Sequence, residues 1–278
     1  MCCSFVHHIK KSLLVLMMFV VSAQAVVRIM PLGDSITYDD RYSDNDHPRP
    51  PGKRSGYRSH LWYMLRDANY GADFVGSQVA GQDIRPSFDP DNEGHPGWTT
   101  YDIAEHTYEY MVNSRPDIVL LHIGTNDRST TDPKGVGEIL DEIDRYEENE
   151  DRHVRVFVAL IIDRKGHDGR ITIFNRRLKE LLQKRIASGD DVVIVDMYHN
   201  AGLTKEDYAD NTHPNDNGYR KIAIVWFNAL MQTQETNSRL HAFPSSIVPA
   251  SYIVSVEFDD PNNSVTFTTK IPDDGIVF

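Results

Sequence analysis

Between residues 26 and 232, short and nearly continuous apolar runs alternate with longer stretches whose apolar positions recur every three to four residues. Val27-Arg28-Ile29-Met30, Phe74-Val75-Gly76, Asp117 to Ile123, Val154 to Ile162 and Val192 to Val195 read as five strands. Pro31 and Gly33 stop the first, and the third, the strongest, lies between Pro116 and Gly124. Runs that are apolar throughout, instead of alternating, belong to a parallel sheet buried on both faces. Helical periodicity fills the intervals: Tyr57 to Asn69, Tyr101 to Val112, Val136 to Tyr146, Ile171 to Ile186 and Tyr219 to Met231. In the first of these, Leu61, Met64 and Leu65 share one face. Such alternation predicts an α/β fold, a three-layer α/β/α sandwich on a five-stranded parallel sheet, with its chemistry at the carboxyl ends of the strands.

Both ends of the chain break this pattern. Lys10 and Lys11 precede the apolar run Leu13 to Val21, and Ala23-Gln24-Ala25 follows. A basic start, a greasy middle too short to remain a membrane span and a small-residue exit predict a secretory signal peptide over 1–25. After Asn237, Tyr252 to Phe258 and Ser264 to Thr269 alternate apolar and polar residues around Asp259-Asp260-Pro261-Asn262-Asn263. That is a β-hairpin pattern, so 236–278 is expected to be a β-rich extension of a body spanning 26–235.

Cleavage after Ala25 would remove Cys2 and Cys3, the only cysteines in the 278 residues, and leave a mature chain free of disulfides. It would also remove two lysines and no acids, leaving 27 basic against 41 acidic residues and a net charge of −14. A surface of that sign repels nucleic acid and anionic membranes, so neither is an expected partner. Neutral polysaccharides and small esters remain open. Export fits a secreted or periplasmic location, with no stable membrane association after cleavage. Oligomeric state leaves no trace in the sequence.

Four segments carry the candidate chemistry. Gly33-Asp34-Ser35-Ile36-Thr37 puts a serine directly after the first strand, at a sharp turn into a helix, where its hydroxyl is exposed. Asp210-Asn211-Thr212-His213-Pro214 sets an acid three residues before a histidine, within reach of the imidazole, on a loop after the fifth strand. Gly124-Thr125-Asn126-Asp127 closes the strongest strand, and the Asn126 amide there can meet a developing oxyanion. Gly94-His95-Pro96-Gly97-Trp98 offers the unobstructed backbone N–H of Gly97 and an indole suited to stacking on a sugar. Taken singly, each also reads as a helix cap or an ordinary turn.

Together and in this order, the four segments resemble the blocks of the SGNH hydrolases, the GDSL esterase superfamily, over about residues 26 to 232. Ile36 stands in place of that family's usual leucine. The resemblance implies a flavodoxin-like SGNH hydrolase fold and a serine esterase: Ser35 as nucleophile, His213 as base and Asp210 as its orienting acid. It also implies an oxyanion hole made by the Ser35 and Gly97 N–H groups and the Asn126 side chain, without a metal or organic cofactor. Asp34, Trp98 and Asp127 flank these groups and are expected to contact substrate. Met30 to Thr37, Gly56-Tyr57-Arg58 and Glu93 to Trp98 look most like family 3 carbohydrate esterases, which include acetylxylan esterases. Two features depart from that pattern: Asp39 replaces a glycine, and Tyr38 to Lys53 is long, acidic and proline-rich.

The expected activity is therefore hydrolysis of short acyl esters, above all O-acetyl groups on carbohydrate. A lipid-directed esterase of the same superfamily is the alternative enzyme, and a non-catalytic glycan-binding protein the alternative of another class. No His-Glu-x-x-His or comparable spacing predicts a metal site. Asp89, Asp91, Glu93 and Gly94 match the opening of a calcium loop, but Thr100 stands where the closing glutamate belongs, so a solvated acidic turn is expected; weak calcium binding by the acidic loops stays open. His122, inside a strand, is expected to be a satisfied buried imidazole, and His95 either lines the site or makes a turn.

Overall fold

The computed structural model describes residues 26–242, 254–259 and 264–269, so the expected leader over 1–25 lies outside the described residues. Strand β1 (Val27–Gly33) is followed by the short helix α1 (Ser35–Tyr38) and by α2 (Arg58–Asp67), β2 (Ala72–Phe74), β3 (Gln78–Val79) and β4 (Asp91–Gly94). Next come α3 (Thr100–Ser114), β5 (Ile118–His122), α4 (Lys134–Glu150), β6 (Arg155–Ala159), α5 (Gly169–Ser188) and β7 (Val192–Val195). The short α6 (Met197–Asn200) and the long α7 (Asp216–Ala242) follow.

β1 lies inside the sheet. β5 pairs parallel along one side of it, from Ile29↔Ile118 to Gly33↔His122, and β6 and β7 extend that side, also parallel. On the other side β2 pairs parallel with Val27–Ile29, and β4 pairs parallel with Leu32 and Gly33. β3 then pairs antiparallel with β4. The sheet is thus mixed and seven-stranded, and not the five parallel strands that hydrophobic patterning predicts. The reason is local. Asp-Asn-Glu-Gly in β4 carries no apolar signal, and polar side chains hold the strand instead: Asn92 Nδ2 donates to Gln78 O at 3.3 Å and Asn92 Oδ1 accepts from Gly94 N at 3.0 Å. The solvated acidic turn expected over Asp89 to Gly94 is corrected by the same observation, because Asn92, Glu93 and Gly94 are buried.

Side chains alternate across the strands and bury both faces. Met30, Leu32, Val119, Leu121, Val156 and Val158 join one core with Ile103 and Met111 of α3, Val136, Ile139 and Ile143 of α4, and Phe174 and Leu178 of α5. Ile29, Leu120 and Phe157 point to the other face and are equally buried, as are Leu61 and Leu65 of α2 and Ile222 and Trp226 of α7. Helix starts are fixed by their first residues: Thr99 and Asp102 form a reciprocal capping box on α3, and Asp168 caps α5. The chain divides into two compact units at Ala229/Leu230. In the second unit, β8 (Val254–Asp259) and β9 (Ser264–Thr269) pair antiparallel, and the residues between them lie outside the described set.

Candidate active site

Ser35 owes its position to a close approach of backbones. A Cβ on Gly33 would lie 2.3 Å from the His122 carbonyl oxygen and 2.5 Å from Thr37 Oγ1, so only glycine fits where β1 turns beside β5. Asp34 then caps α1, its Oδ1 accepting from the Ile36 N–H at 2.9 Å. Ser35 is the first residue of that helix, where an N–H has no intrahelical acceptor.

His213 reaches this turn from the loop before α7. Ser35 Oγ and His213 Nε2 are 2.9 Å apart, and His213 Nδ1 lies 2.9 and 3.0 Å from the two oxygens of Asp210. Ser35 and His213 are buried and Asp210 is half-buried. Burial opposes ionisation of Asp210, but the backbone N–H groups of His213 and Thr212, each donating to Oδ1 at 2.8 Å, and the imidazole itself hold its carboxyl below the ordinary range. An ionised Asp210 places the imidazole proton on Nδ1, which leaves Nε2 to accept from the Ser35 hydroxyl. The arrangement can pass the serine proton to histidine while the carboxylate stabilises the resulting cation.

Gly97 sits at φ +84° with nothing within 4 Å of where a Cβ would stand. The Trp98 carbonyl accepts from Asn126 Nδ2 at 2.9 Å, which ties the two expected oxyanion donors to each other. Trp98 is half-buried and stacks on His95 with ring centres 4.3 Å apart. His95 Nε2 lies 2.6 Å from the buried Glu93 carboxylate, which also accepts the Ser77 N–H at 2.7 Å and the Ser77 hydroxyl at 2.6 Å. Glu93 and His95 therefore brace the turn that presents Gly97.

Asp34 and Asp127 differ from the expectation that they contact substrate. Asp34 is fully buried, and burial raises its pKa to about 7 against the opposing Ile36 N–H. Asp127 spends its two oxygens on the Thr100 hydroxyl at 2.6 Å and the Thr100 N–H at 3.1 Å, fastening the start of α3 to the Asn126 loop. Asp127 thus joins two segments, whereas the Asp34 bond to Ile36 stays within its own turn. His122 is buried as expected but only half satisfied: Nε2 accepts the Ile162 N–H at 3.3 Å, while Nδ1 has no partner.

Two contributors are missing from the sequence reading. Tyr42, in the long segment after α1, donates its backbone N–H to Asp210 Oδ2 at 3.0 Å and sets its ring edge-on to His213 at 4.9 Å. The segment is pinned by Arg49, which bridges Asp39 at 3.0 Å and Asp44 at 2.9 Å. Asp39 itself adopts φ +73°, so its side chain starts the ion network at the position where a glycine is usual. Arg164, just past β6, donates to Thr125 O at 2.9 Å and to the Thr212 hydroxyl, joining the Asn126 loop to the His213 loop. Its place at the carboxyl end of a parallel strand was the available signal. Among the described residues, no group of three or more His, Cys, Asp or Glu side chains could hold a metal ion.

Residues 32–221 match the model of the GDSL-like lipase/acylhydrolase family. The chain belongs to that family, a class of carboxylic ester hydrolases. Within it, the chain resembles family 3 carbohydrate esterases. The Clostridium thermocellum family 3 carbohydrate esterase is 28% identical, with a TM-score of 0.64 over 77% of this chain and 99% of that one. A family 3 carbohydrate esterase from Talaromyces cellulolyticus is 30% identical, with a TM-score of 0.62 over 76% of this chain and 99% of that one. A multidomain esterase of Ruminococcus flavefaciens is 28% identical over 75% of this chain, which spans only 29% of that protein's length.

Proposed function

We propose that the protein is a secreted serine esterase that removes short acyl groups, acetyl foremost, from carbohydrate. The observation that carries the reading is the Ser35 hydroxyl 2.9 Å from His213 Nε2, with Nδ1 of the same ring held by Asp210. Ser35 Oγ attacks the ester carbonyl as His213 takes its proton, and the Ser35 N–H, the Gly97 N–H and the Asn126 amide receive the charge on the carbonyl oxygen. Collapse of the tetrahedral intermediate expels the sugar hydroxyl, protonated by His213, and leaves an acyl-enzyme. Water, deprotonated by His213, then attacks that acyl group, releasing the acid and restoring Ser35. Each step is a proton transfer or a displacement at carbon, so no cofactor enters.

The carbohydrate preference is supported by likeness to the two family 3 carbohydrate esterases. Secretion is supported by the basic, apolar and small-residue pattern of 1–25. Among the described residues no helix is long and apolar enough to cross a membrane. We assign the catalytic domain to 26–235 and the extension to 236–278. Initial rates on p-nitrophenyl acetate and p-nitrophenyl octanoate test the acyl preference. The expected result is a clear preference for acetate; preference for octanoate would move the substrate class to lipid esters.

A further inference from the structure

Beside the proposed catalytic groups lies an open cavity of about 390 Å³ lined by Arg128, Arg164, Gly166, His167, Asp168, Arg170 and Asn211. Its walls are continuous with the site. Arg164 bonds Thr125 and Thr212, the neighbours of Asn126 and His213, and Arg128 Nη2 donates at 2.9 Å to the hydroxyl of Tyr42, whose ring abuts His213. On a chain carrying a net −12, three guanidiniums around one pocket are an inversion of the prevailing charge.

Most of that positive charge is already committed. Asp168 pairs with Arg170 at 2.7 Å and lies 3.5 Å from Arg164 Nε. Arg170 also donates to the Arg128 carbonyl at 2.6 Å, and Asp163 holds His167 at 2.5 Å. Arg128 stands apart. It is exposed, it forms no ion pair among the described residues, and the Tyr42 hydroxyl is the acceptor its side chain meets. Its planar fork keeps donors for a second planar partner, the geometry in which guanidinium and carboxylate pair best. Asn211, also exposed on this wall, can serve sugar hydroxyls.

We infer that this cavity is a subsite for a sugar carboxylate: Arg128 binds the uronate unit of an acetylated glycan while Ser35 deacetylates a neighbouring residue. The inference rests on the carbohydrate esterase reading and names its substrate class. The strongly negative chain opposes a polyanion, so the fitting substrate is a neutral backbone bearing isolated uronate branches, whose single charge is felt at contact range.

The test compares kcat/KM of the full mature protein on acetylated xylo-oligosaccharides with and without a glucuronate branch, in the wild type and in Arg128→Gln. The expected result is a wild-type preference for the branched substrate, reduced about tenfold in the variant and, in the wild type, reduced as salt rises from about 0.05 to about 0.5 M. A preference unchanged by both would overturn the subsite. Titrating glucuronate, glucose and sulfate into the wild type separates this failure from failure of the esterase reading. Saturable glucuronate binding that Arg128→Gln removes supports the subsite even if neither oligosaccharide is deacetylated. Equal binding of glucose, tighter binding of sulfate, or no saturable glucuronate binding would refute it.

Discussion

Replacing Arg58 tests how the nucleophile turn is held. Arg58 is fully buried at the start of α2, and burial lowers its pKa to about 10, which leaves it charged at neutral pH. It meets backbone carbonyls: Nε donates to Thr37 at 2.9 Å, Nη1 to Ala80 and Pro90 at 3.0 Å each, and Nη2 to Arg54 at 3.0 Å and Tyr38 at 3.4 Å. One side chain thus ties the end of α1, the Arg49 segment and both flanks of the β3–β4 pair together. In Arg58→Met, Pro90 O would still accept from the Ala80 N–H and Asn92 Nδ2, each at 3.1 Å. The other four carbonyls lose the guanidinium. At about 1 kcal/mol each the loss is about 4 kcal/mol, in line with other removals of one partner from a buried charged arrangement. For a body of this size that corresponds to a Tm lowered by roughly 8–16 °C. Thermal unfolding by circular dichroism, with urea midpoints beside it, measures the change. Arg58→Lys, with three donors and no fork, should lose about half as much. A loss below about 1 kcal/mol in Arg58→Met would refute the reasoning.

Two further outcomes follow from the same geometry. Asp34, raised to about 7, and His122, lowered to about 4 with a partner on one nitrogen, act oppositely on stability. Between about pH 4 and 7 the native chain keeps Asp34 protonated while the unfolded chain has released that proton, so this contribution, about 4 kcal/mol in full, is lost as pH rises. Between about pH 6.5 and 4 the unfolded chain protonates His122 first, so its contribution, about 3 kcal/mol, is lost as pH falls. Asp34→Asn should therefore lose more stability than wild type on acidification from about pH 7 to 4, and His122→Phe less; parallel Tm–pH curves for all three would contradict this. Gly97→Ala meets no clash but strains φ, costing about 1–2 kcal/mol of stability, while kcat/KM should fall by at least about tenfold through the displaced N–H. A variant within twofold of wild type would remove Gly97 as an oxyanion donor.

Much of the fold is legible because its central strands are apolar on both faces. β1, β5, β6 and β7 each carry a nearly continuous hydrophobic run, and the α4 stripe of Val136, Ile139, Leu140, Ile143 and Tyr146 repeats with helical period. β3 and β4 are invisible to that signal, since Asn92 and Glu93 hold them by hydrogen bonds. The site divides in the same way. Ser35, Gly97, Asn126, Asp210 and His213 stand in short segments whose order signals them. Tyr42 acts on Asp210 through its backbone N–H across 168 positions, and a main-chain donor has no residue type to announce it. Arg58 shares the buried face of α2 with Leu61 and Leu65, where periodicity asks for an apolar residue, and only the meeting of separate carbonyls around it accounts for a buried cation there. Asp39 is noticeable in the sequence as a replaced glycine, but its partner Arg49 is fixed by the folded segment.

The central claim is that His213 and Asp210 activate Ser35. Mass spectrometry after treatment with a fluorophosphonate tests it most directly, comparing wild type, Ser35→Ala and His213→Ala, with hydrolysis of p-nitrophenyl acetate followed in parallel. The account predicts one adduct, on Ser35, with loss of hydrolysis, no adduct in Ser35→Ala and greatly slowed labelling in His213→Ala. Full hydrolysis by an enzyme whose Ser35 is unlabelled, or by Ser35→Ala itself, would contradict it.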